Sequence, residues 1–216
     1  MRLILVRHAE TQANAEGRMQ GHADYVLSRE GRSQADRLHG RFQEEKLEPT
    51  HIFTSPLLRA FETAKIISRS WTIQIMPWDD LKEHNIGVLS GLTWKEAVGK
   101  FPCVDMEKVR RGQLTGIKGA ESLAQRRARG KRVVNTILSS YLQESSVLLV
   151  SHGGIIQHII AALLGTDRVW AVPVSNTAVF DFRIDLEKWR RRGNSKDDTS
   201  AARIDRFNDD GHLKKR

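Results

Sequence analysis

Two histidines occupy equivalent places in the chain. His8 follows Leu3-Ile4-Leu5-Val6-Arg7, and His152 follows Val147-Leu148-Leu149-Val150-Ser151. Each apolar run has the length and composition of a buried parallel strand. Ligands of open α/β sheets bind outside the carboxyl ends of such strands. The two imidazoles are therefore expected to meet at one sheet edge, with Arg7 beside them to attract an anion. A nucleophile, a second imidazole and a guanidinium in that position suggest phosphoryl transfer through a histidine. Arg59 falls in the first turn of a predicted helix, close to the end of a second strand. Arg7 and Arg59 can each offer a planar fork to phosphate oxygens, which lysine cannot do. Asn14 and His152 can add directed hydrogen bonds, and the N–H groups at Gly153-Gly154 open a helix with a partial positive charge.

The elements that must position these residues alternate as in a layered α/β domain. After the first strand and a loop, Ser28 can cap a helix over 29–46 whose inward stripe is Ala35, Leu38 and Phe42. His51–Thr54 reads as a strand. Ser55-Pro56 then starts a helix, with Ser55 as N-cap and Pro56 at the first position, running to about Ser68. Residues 73–76 form a short third strand. Residues 84–119 are rich in glycine and irregular, the pattern of a lid or substrate loop. A long helix is predicted over 121–143 with Leu123, Val133, Val134, Ile137 and Tyr141 inward. It is followed by the Val147–Val150 strand, a helix over 154–164, and a strand over 178–184. Residues 190–216 make a C-terminal hairpin and basic tail, with 204–207 as an edge strand. The expected fold is a single domain over 1–216, a three-layer α/β/α sandwich around a mostly parallel sheet.

Bulk composition narrows the function classes. The 216 residues suffice for one sizeable core. Lys+Arg number 35 against 26 Asp+Glu, a formal charge of +9 that favours anionic ligands. One cysteine, Cys103, excludes an internal disulfide and a cysteine-based zinc site. No secretory signal or membrane-spanning run is visible, so a cytoplasmic protein is the default expectation. Neither a P-loop nor a Rossmann glycine pattern is present. The cluster Arg126-Arg127-Arg129-Lys131-Arg132 reads for the most part as the solvated face of a helix. Without interleaved aromatics it gives little support to nucleic-acid binding. Arg110-Arg111 lies in the predicted lid, where it could meet a second anionic group or simply be exposed. Oligomeric state is left open.

Arg7-His8-Ala9-Glu10-Thr11, then Asn14 and Gln20-Gly21, resembles the signature of the histidine phosphatase (phosphoglycerate mutase-like) superfamily. The remaining motifs follow in order: Thr54-Ser55-Pro56-Leu57-Leu58-Arg59-Ala60 with Thr63-Ala64, Leu81-Lys82-Glu83 with Gly87 and Gly91, Gly119-Ala120-Glu121-Ser122, and Ser151-His152-Gly153. Asn176-Thr177 and Asn208-Asp209 through His212-Leu213 are similar to late family features. Ala9 departs from the usual glycine, which argues against a positive φ there.

The resemblance implies a phosphoglycerate mutase-like fold and a catalytic set of Arg7, His8, Arg59, Glu83 and His152. It places Asn14, Gln20, Gly21 and Gly153 among substrate-binding positions and requires no metal and no cofactor. His8 would attack phosphorus once its other ring nitrogen is bonded to a backbone acceptor. Glu83 would protonate the leaving alcohol and then activate water, with Glu10 and Asp80 as alternative carboxyls. A bound dianion nearby would help Glu83 hold its proton. Its close spacing to Glu121 leaves no room for the long insertion with which mutases exclude water, and Gly154 stands where mutases usually have asparagine. Both favour a phosphomonoesterase acting on a small phosphorylated metabolite. A phosphoglycerate mutase is the alternative within the family, and a non-catalytic phospholigand- or RNA-binding protein is the alternative outside it.

Overall fold

The computed structural model describes residues 1–110, 113–169, 173–191 and 200–214. In chain order the strands are β1 (Arg2–Arg7), β2 (His51–Thr54), β3 (Ile75–Pro77), β4 (Ser146–Ser151), β5 (Val179–Ile184) and β6 (Ala202–Asp209). The helices are α1 (Gln12–Ala15), α2 (Arg29–Glu44), α3 (Leu58–Ile67), α4 (Trp94–Lys100), α5 (Met106–Arg110), α6 (Leu123–Ser140), α7 (Gly153–Leu163) and α8 (Leu186–Arg191). The strands form one sheet in the order β3-β2-β4-β1-β5-β6. β3, β2, β4 and β1 are mutually parallel, while β5 and β6 run antiparallel as the predicted C-terminal hairpin.

Alternation along β1 explains the layering. Leu3 and Leu5 pack with Val133, Ile137, Ile155 and Ile159 of α6 and α7 on one face. Ile4 and Val6 pack with Ala35, Leu38, Phe42 and Ala64 of α2 and α3 on the other. A strand buried on both faces needs apolar residues at successive positions, which is what Leu3–Val6 supplies. β1 and β4 pair in register from Arg2↔Ser146 to Arg7↔Ser151, so the residues following each strand emerge side by side. That register is what brings His8 and His152 together.

Serine side chains cap two of the long helices. Ser28 caps α2 by accepting from the Gly31 N–H at 2.9 Å. Ser122 caps α6 in a reciprocal box with Gln125. The helix expected from Ser55-Pro56 begins only at Leu58. The Ser55 hydroxyl accepts from the Leu57 N–H at 3.2 Å and also meets the ring of His152, so it shapes the turn ahead of the helix. Leu123, expected inward, is exposed because it opens the first turn of α6 before the helix reaches the core.

The basic cluster on α6 requires a larger correction. Lys131 and Arg132 are exposed as expected, but Arg126 and Arg129 are buried at 2% and 7% exposure and do not lie on a solvated face. Arg129 finds a carboxylate and several carbonyl groups inside, which offset the loss of water. Within 84–119, α4, α5 and one short 3-10 turn (Gly87–Leu89) gather around Leu89, Ala97, Leu114 and Ile117 as a small apolar cluster of their own. Arg111, the side chain of Arg110, Arg192 and Lys215-Arg216 lie outside the described residues. Among those described, no helix is long and apolar enough to cross a membrane.

Candidate active site

The loop after β1 fixes both the position and the tautomer of His8. Its backbone N–H donates to the Ser151 carbonyl at 2.8 Å, tying it to the end of β4. From the other side, Asn176 Nδ2 donates to the His8 carbonyl at 3.0 Å and the Thr177 N–H to the Arg7 carbonyl at 3.1 Å. The His8 Nδ1 lies 2.7 Å from the Ala9 carbonyl oxygen. A carbonyl can only accept, so Nδ1 carries the proton and Nε2 keeps its lone pair. Burial, reinforced by Arg7 and Arg59, holds the imidazole well below its usual pKa and therefore neutral. Ala9 has no positive φ, and its N–H donates to Thr63 Oγ1 at 3.0 Å, so glycine is not required there.

Arg59 enters from the first turn of α3 and is completely buried. Its guanidinium donates to the Gly21 carbonyl at 2.8 Å and the Ala23 carbonyl at 2.9 Å, which fixes the 20–23 loop. Its Nε donates to His152 Nδ1 at 3.1 Å. His152 Nδ1 therefore accepts, and its Nε2–H donates to Ser55 Oγ at 2.8 Å. Both ring nitrogens are thus engaged within the protein, so His152 orients Arg59 in this arrangement. The His8 and His152 ring centroids are 5.0 Å apart. Burial lowers Arg59 to about 10, which still leaves it cationic near neutrality. Gly21, at φ 51, has no room for a side chain, because a Cβ there would sit 2.6 Å from Ile86 Cγ1.

Arg7 donates to the Val174 carbonyl, and its buried Nε has no partner. Neither Arg7 nor Arg59 forms a salt bridge among the described residues. Two cations with unused N–H groups and no carboxylate in contact, Arg59 buried and Arg7 partly so, create a strongly anion-attracting environment. Asn14 belongs to a capping box in which its Oδ1 accepts from the Thr11 N–H and hydroxyl. That assignment leaves the Asn14 amide N–H groups to donate elsewhere. Gln20 is nine-tenths buried, and its Oε1 has no partner.

Glu83 lies at the N-terminus of α7. Its carboxylate accepts from the N–H groups of Gly154 at 3.1 Å, Ile155 at 3.2 Å and His84 at 2.9 Å. Burial pushes this carboxyl upward, but His84, those backbone N–H groups and Arg59 outweigh it and hold the group below its ordinary value. With no anion beside it Glu83 is ionised, so the expected proton retention needs a bound dianion. A Cβ on Gly154 would lie 2.5 Å from Glu83 Oε1 and 2.6 Å from the His84 ring, which explains the glycine. The alternative carboxyls are already committed, Glu10 to Ser28 Oγ at 2.6 Å and Asp80 to Arg132 at 2.7 Å.

Comparison with known proteins gives the family. The sequence pattern of the histidine phosphatase superfamily (branch 1) matches residues 3–195. The chain belongs to that superfamily. It is 33% identical over 192 residues to phosphoglycerate mutase-like protein 4 of Arabidopsis thaliana, covering 87% of this chain and 81% of that protein. It is 32% identical to phosphoserine phosphatase 1 of Hydrogenobacter thermophilus, covering 82% and 84% respectively. A mycobacterial glucosyl-3-phosphoglycerate phosphatase, solved in complex with VO3, superposes with a TM-score of 0.77 at 27% identity, covering 96% of this chain and 98% of that one. The protein is a histidine phosphatase with the phosphoglycerate mutase-like fold.

Several residues of this histidine phosphatase hold the site through contacts that sequence alone does not assign. Thr63 holds both the Ala9 N–H and the Arg59 carbonyl, Ser55 holds His152, and His22 Nε2 donates to the Glu83 carbonyl at 2.8 Å. Thr63 and Ser55 stand inside motifs that the sequence does display. His22, beside the Gln20-Gly21 motif, is a candidate pocket residue from its position alone, but its bond to a backbone group far away in the chain cannot be read from sequence. Among the described residues no three His, Cys, Asp or Glu side chains are grouped to hold a metal ion.

Proposed function

We propose that this phosphatase hydrolyses a small phosphorylated metabolite through a phosphohistidine at His8, without a metal. The observation that carries the reading is the tautomer. The Nδ1–H bond to the Ala9 carbonyl leaves a neutral Nε2 lone pair on a ring that feels the charges of both Arg7 and Arg59, neither of which has a carboxylate in salt-bridge contact among the described residues. Arg7 and Arg59, with Asn14 and the Gly153 N–H, hold the phosphoryl oxygens while charge spreads over them. Nε2 forms the bond to phosphorus as the ester oxygen leaves, and Glu83 delivers a proton to that oxygen. Water then attacks the phosphohistidine, Glu83 takes its proton, and phosphate departs with His8 restored.

Since Glu83 is ionised in the free protein, the required proton enters with the substrate, either as a phosphate monoanion or on Glu83 once the dianion is seated. The phosphate's second ionisation lies near pH 6. kcat/KM should therefore decline as pH rises beyond that point. The substrates named for two relatives, phosphoserine and glucosyl-3-phosphoglycerate, each carry a carboxylate as well as the phosphate. A substrate panel should begin with compounds of that kind. The mutase reading has its support in the mutase-like relative. Incubation with 3-phosphoglycerate separates the two, because a mutase yields the 2-phospho isomer and a phosphatase yields inorganic phosphate.

The direct test is acid- and base-quenched turnover of a 32P-labelled phosphomonoester in EDTA. An acid-labile, base-stable protein adduct is expected on wild type and absent from His8→Ala. Turnover without any such adduct overturns the phosphohistidine. If there is no turnover on any ester, but tight ligand binding persists, the protein is a binder instead.

A further inference from the structure

We infer that Arg129, fixed by Glu121, is a positioning residue that sets the orientation of Glu83 from behind; this rests on the proposed role of Glu83 as proton donor. Residues 80–83 form no strand, and Asp79–Leu81 make only a short 3-10 turn, so their carbonyl groups have no ladder to join. All four carbonyls are nevertheless bonded to side chains. Arg129 Nη1 takes the carbonyls of Asp80 at 3.1 Å and of Lys82, and its Nη2 takes that of Glu83 at 3.3 Å. Ser151 Oγ takes the Leu81 carbonyl at 2.7 Å, and His22 Nε2 shares the Glu83 carbonyl at 2.8 Å. One guanidinium on α6 thus holds three of the four peptide units leading to the carboxyl group.

Arg129 is itself held rigid. Glu121 accepts from its Nε at 2.9 Å and its Nη2 at 2.7 Å, a bidentate pair with little exposure on either side. Glu121 also receives the Asn85 N–H at 3.3 Å, while its own N–H donates to the Asn85 carbonyl at 2.8 Å. The chain is therefore clamped on both sides of Glu83. A lysine could keep the charge but could not form the fork and bond three carbonyls in one plane. Misplacing a catalytic group by about 1 Å is enough to lower a rate substantially.

Leaving-group dependence separates positioning from general structural support. A nitrophenolate leaves without a proton, whereas an alkoxide needs one. Arg129→Lys and Glu121→Gln should each lower kcat on an alkyl phosphate at least about tenfold more than on p-nitrophenyl phosphate, with KM nearly unchanged. Arg132→Gln, which loses only its exposed pair with Asp80, should leave that ratio at the wild-type value. Equal losses on both esters, or an unchanged ratio in variants that melt like wild type, overturn the inference. If Arg129→Lys fails to fold, the ratio in Glu121→Gln decides. A missing adduct in wild type would overturn the phosphohistidine reading, while the leaving-group ratio would still decide the role of Arg129.

Discussion

Arg59 and Arg129 are both buried arginines on helices, yet they are solvated by the protein in opposite ways. Arg129 has a bidentate carboxylate partner and three carbonyl acceptors, so its charge is balanced where it stands. Arg59 bonds two carbonyls and one imidazole nitrogen and has no carboxylate in contact. A charge out of water and without a counter-ion is costly in a folded protein. The unbalanced cation marks the place where an anion is handled, and the balanced one marks a strut. Arg7, with an unpartnered buried Nε, belongs with Arg59.

Arg59→Lys strikes the comparison hardest. Lysine loses the fork toward phosphate and also the bonds to Gly21, Ala23 and His152. A fall in kcat/KM on the order of 10³-fold is expected, in line with removal of a single transition-state donor elsewhere. Steady-state kinetics with a separate melting curve checks this, and a loss under tenfold would show that Arg59 does not face the reacting phosphoryl group.

Arg129→Met should fail in a different way. It strands Glu121 in a nearly dry site, which costs about 3–5 kcal/mol of folding stability. Adding Glu121→Gln should recover part of that loss, as a double-mutant cycle in denaturant would show. Anion binding gives a complementary comparison. Vanadate or phosphate at about 100 times Kd should stabilise the wild type by about 2.7 kcal/mol. That stabilisation should vanish in Arg59→Met and persist in Arg129→Met. Persistence in Arg59→Met would place the anion elsewhere.

The same contrast shows which parts of the molecule were legible in the sequence. The β1–β4 pairing could be read because Leu3–Val6 and Val147–Val150 are apolar at every position, and each is followed by a histidine. His8, Arg59 and Glu83 lie in motifs at element boundaries, where backbone requirements restrict the residue types. Burial of Arg126 and Arg129 could not be read. On a helix they look like any other basic stripe, and although Glu121 is visible in sequence, three of the acceptors of Arg129 are backbone carbonyls, which leave no trace in residue identity. The engagement of His152 by Arg59 and Ser55 was hidden for a related reason, since spacing says which side chains are close but not which atoms bond.

Acidification tests the histidines that lie behind the site. Burial lowers His84 to about 4 and His158 to about 3, their rings being 5.1 Å apart among Arg126 and Arg129. Both are neutral in the folded protein, whereas the unfolded chain takes up protons near pH 6.5. The unfolded state binds more protons below that pH, so stability is present above about 6.5 and falls as pH drops toward 4. Each such histidine contributes a slope of about 1.4 kcal/mol per pH unit in that window. His158→Leu should flatten the pH dependence of the melting temperature, and an unchanged slope would contradict the burial of an uncharged ring.

The smallest effect is expected from Gly154→Ala, and it is also the most specific. The added methyl would meet the Glu83 carboxylate and the His84 ring, both ends of side chains and not backbone. Both must move by about 1 Å to reach ordinary contact, which side-chain ends can do where backbone could not, so the fold should survive with a lowered melting temperature. What cannot survive unchanged is the hold of the Gly154 and Ile155 N–H groups on Glu83. Losing part of that hold raises the pKa of the carboxyl group while moving it off line. A kcat lower by about tenfold on alkyl phosphates is expected, with a falling pH limb displaced upward. An equal loss on nitrophenyl phosphate would mean that the methyl disturbs the phosphate cradle, and that Gly154 serves His8 and the arginines instead of the acid.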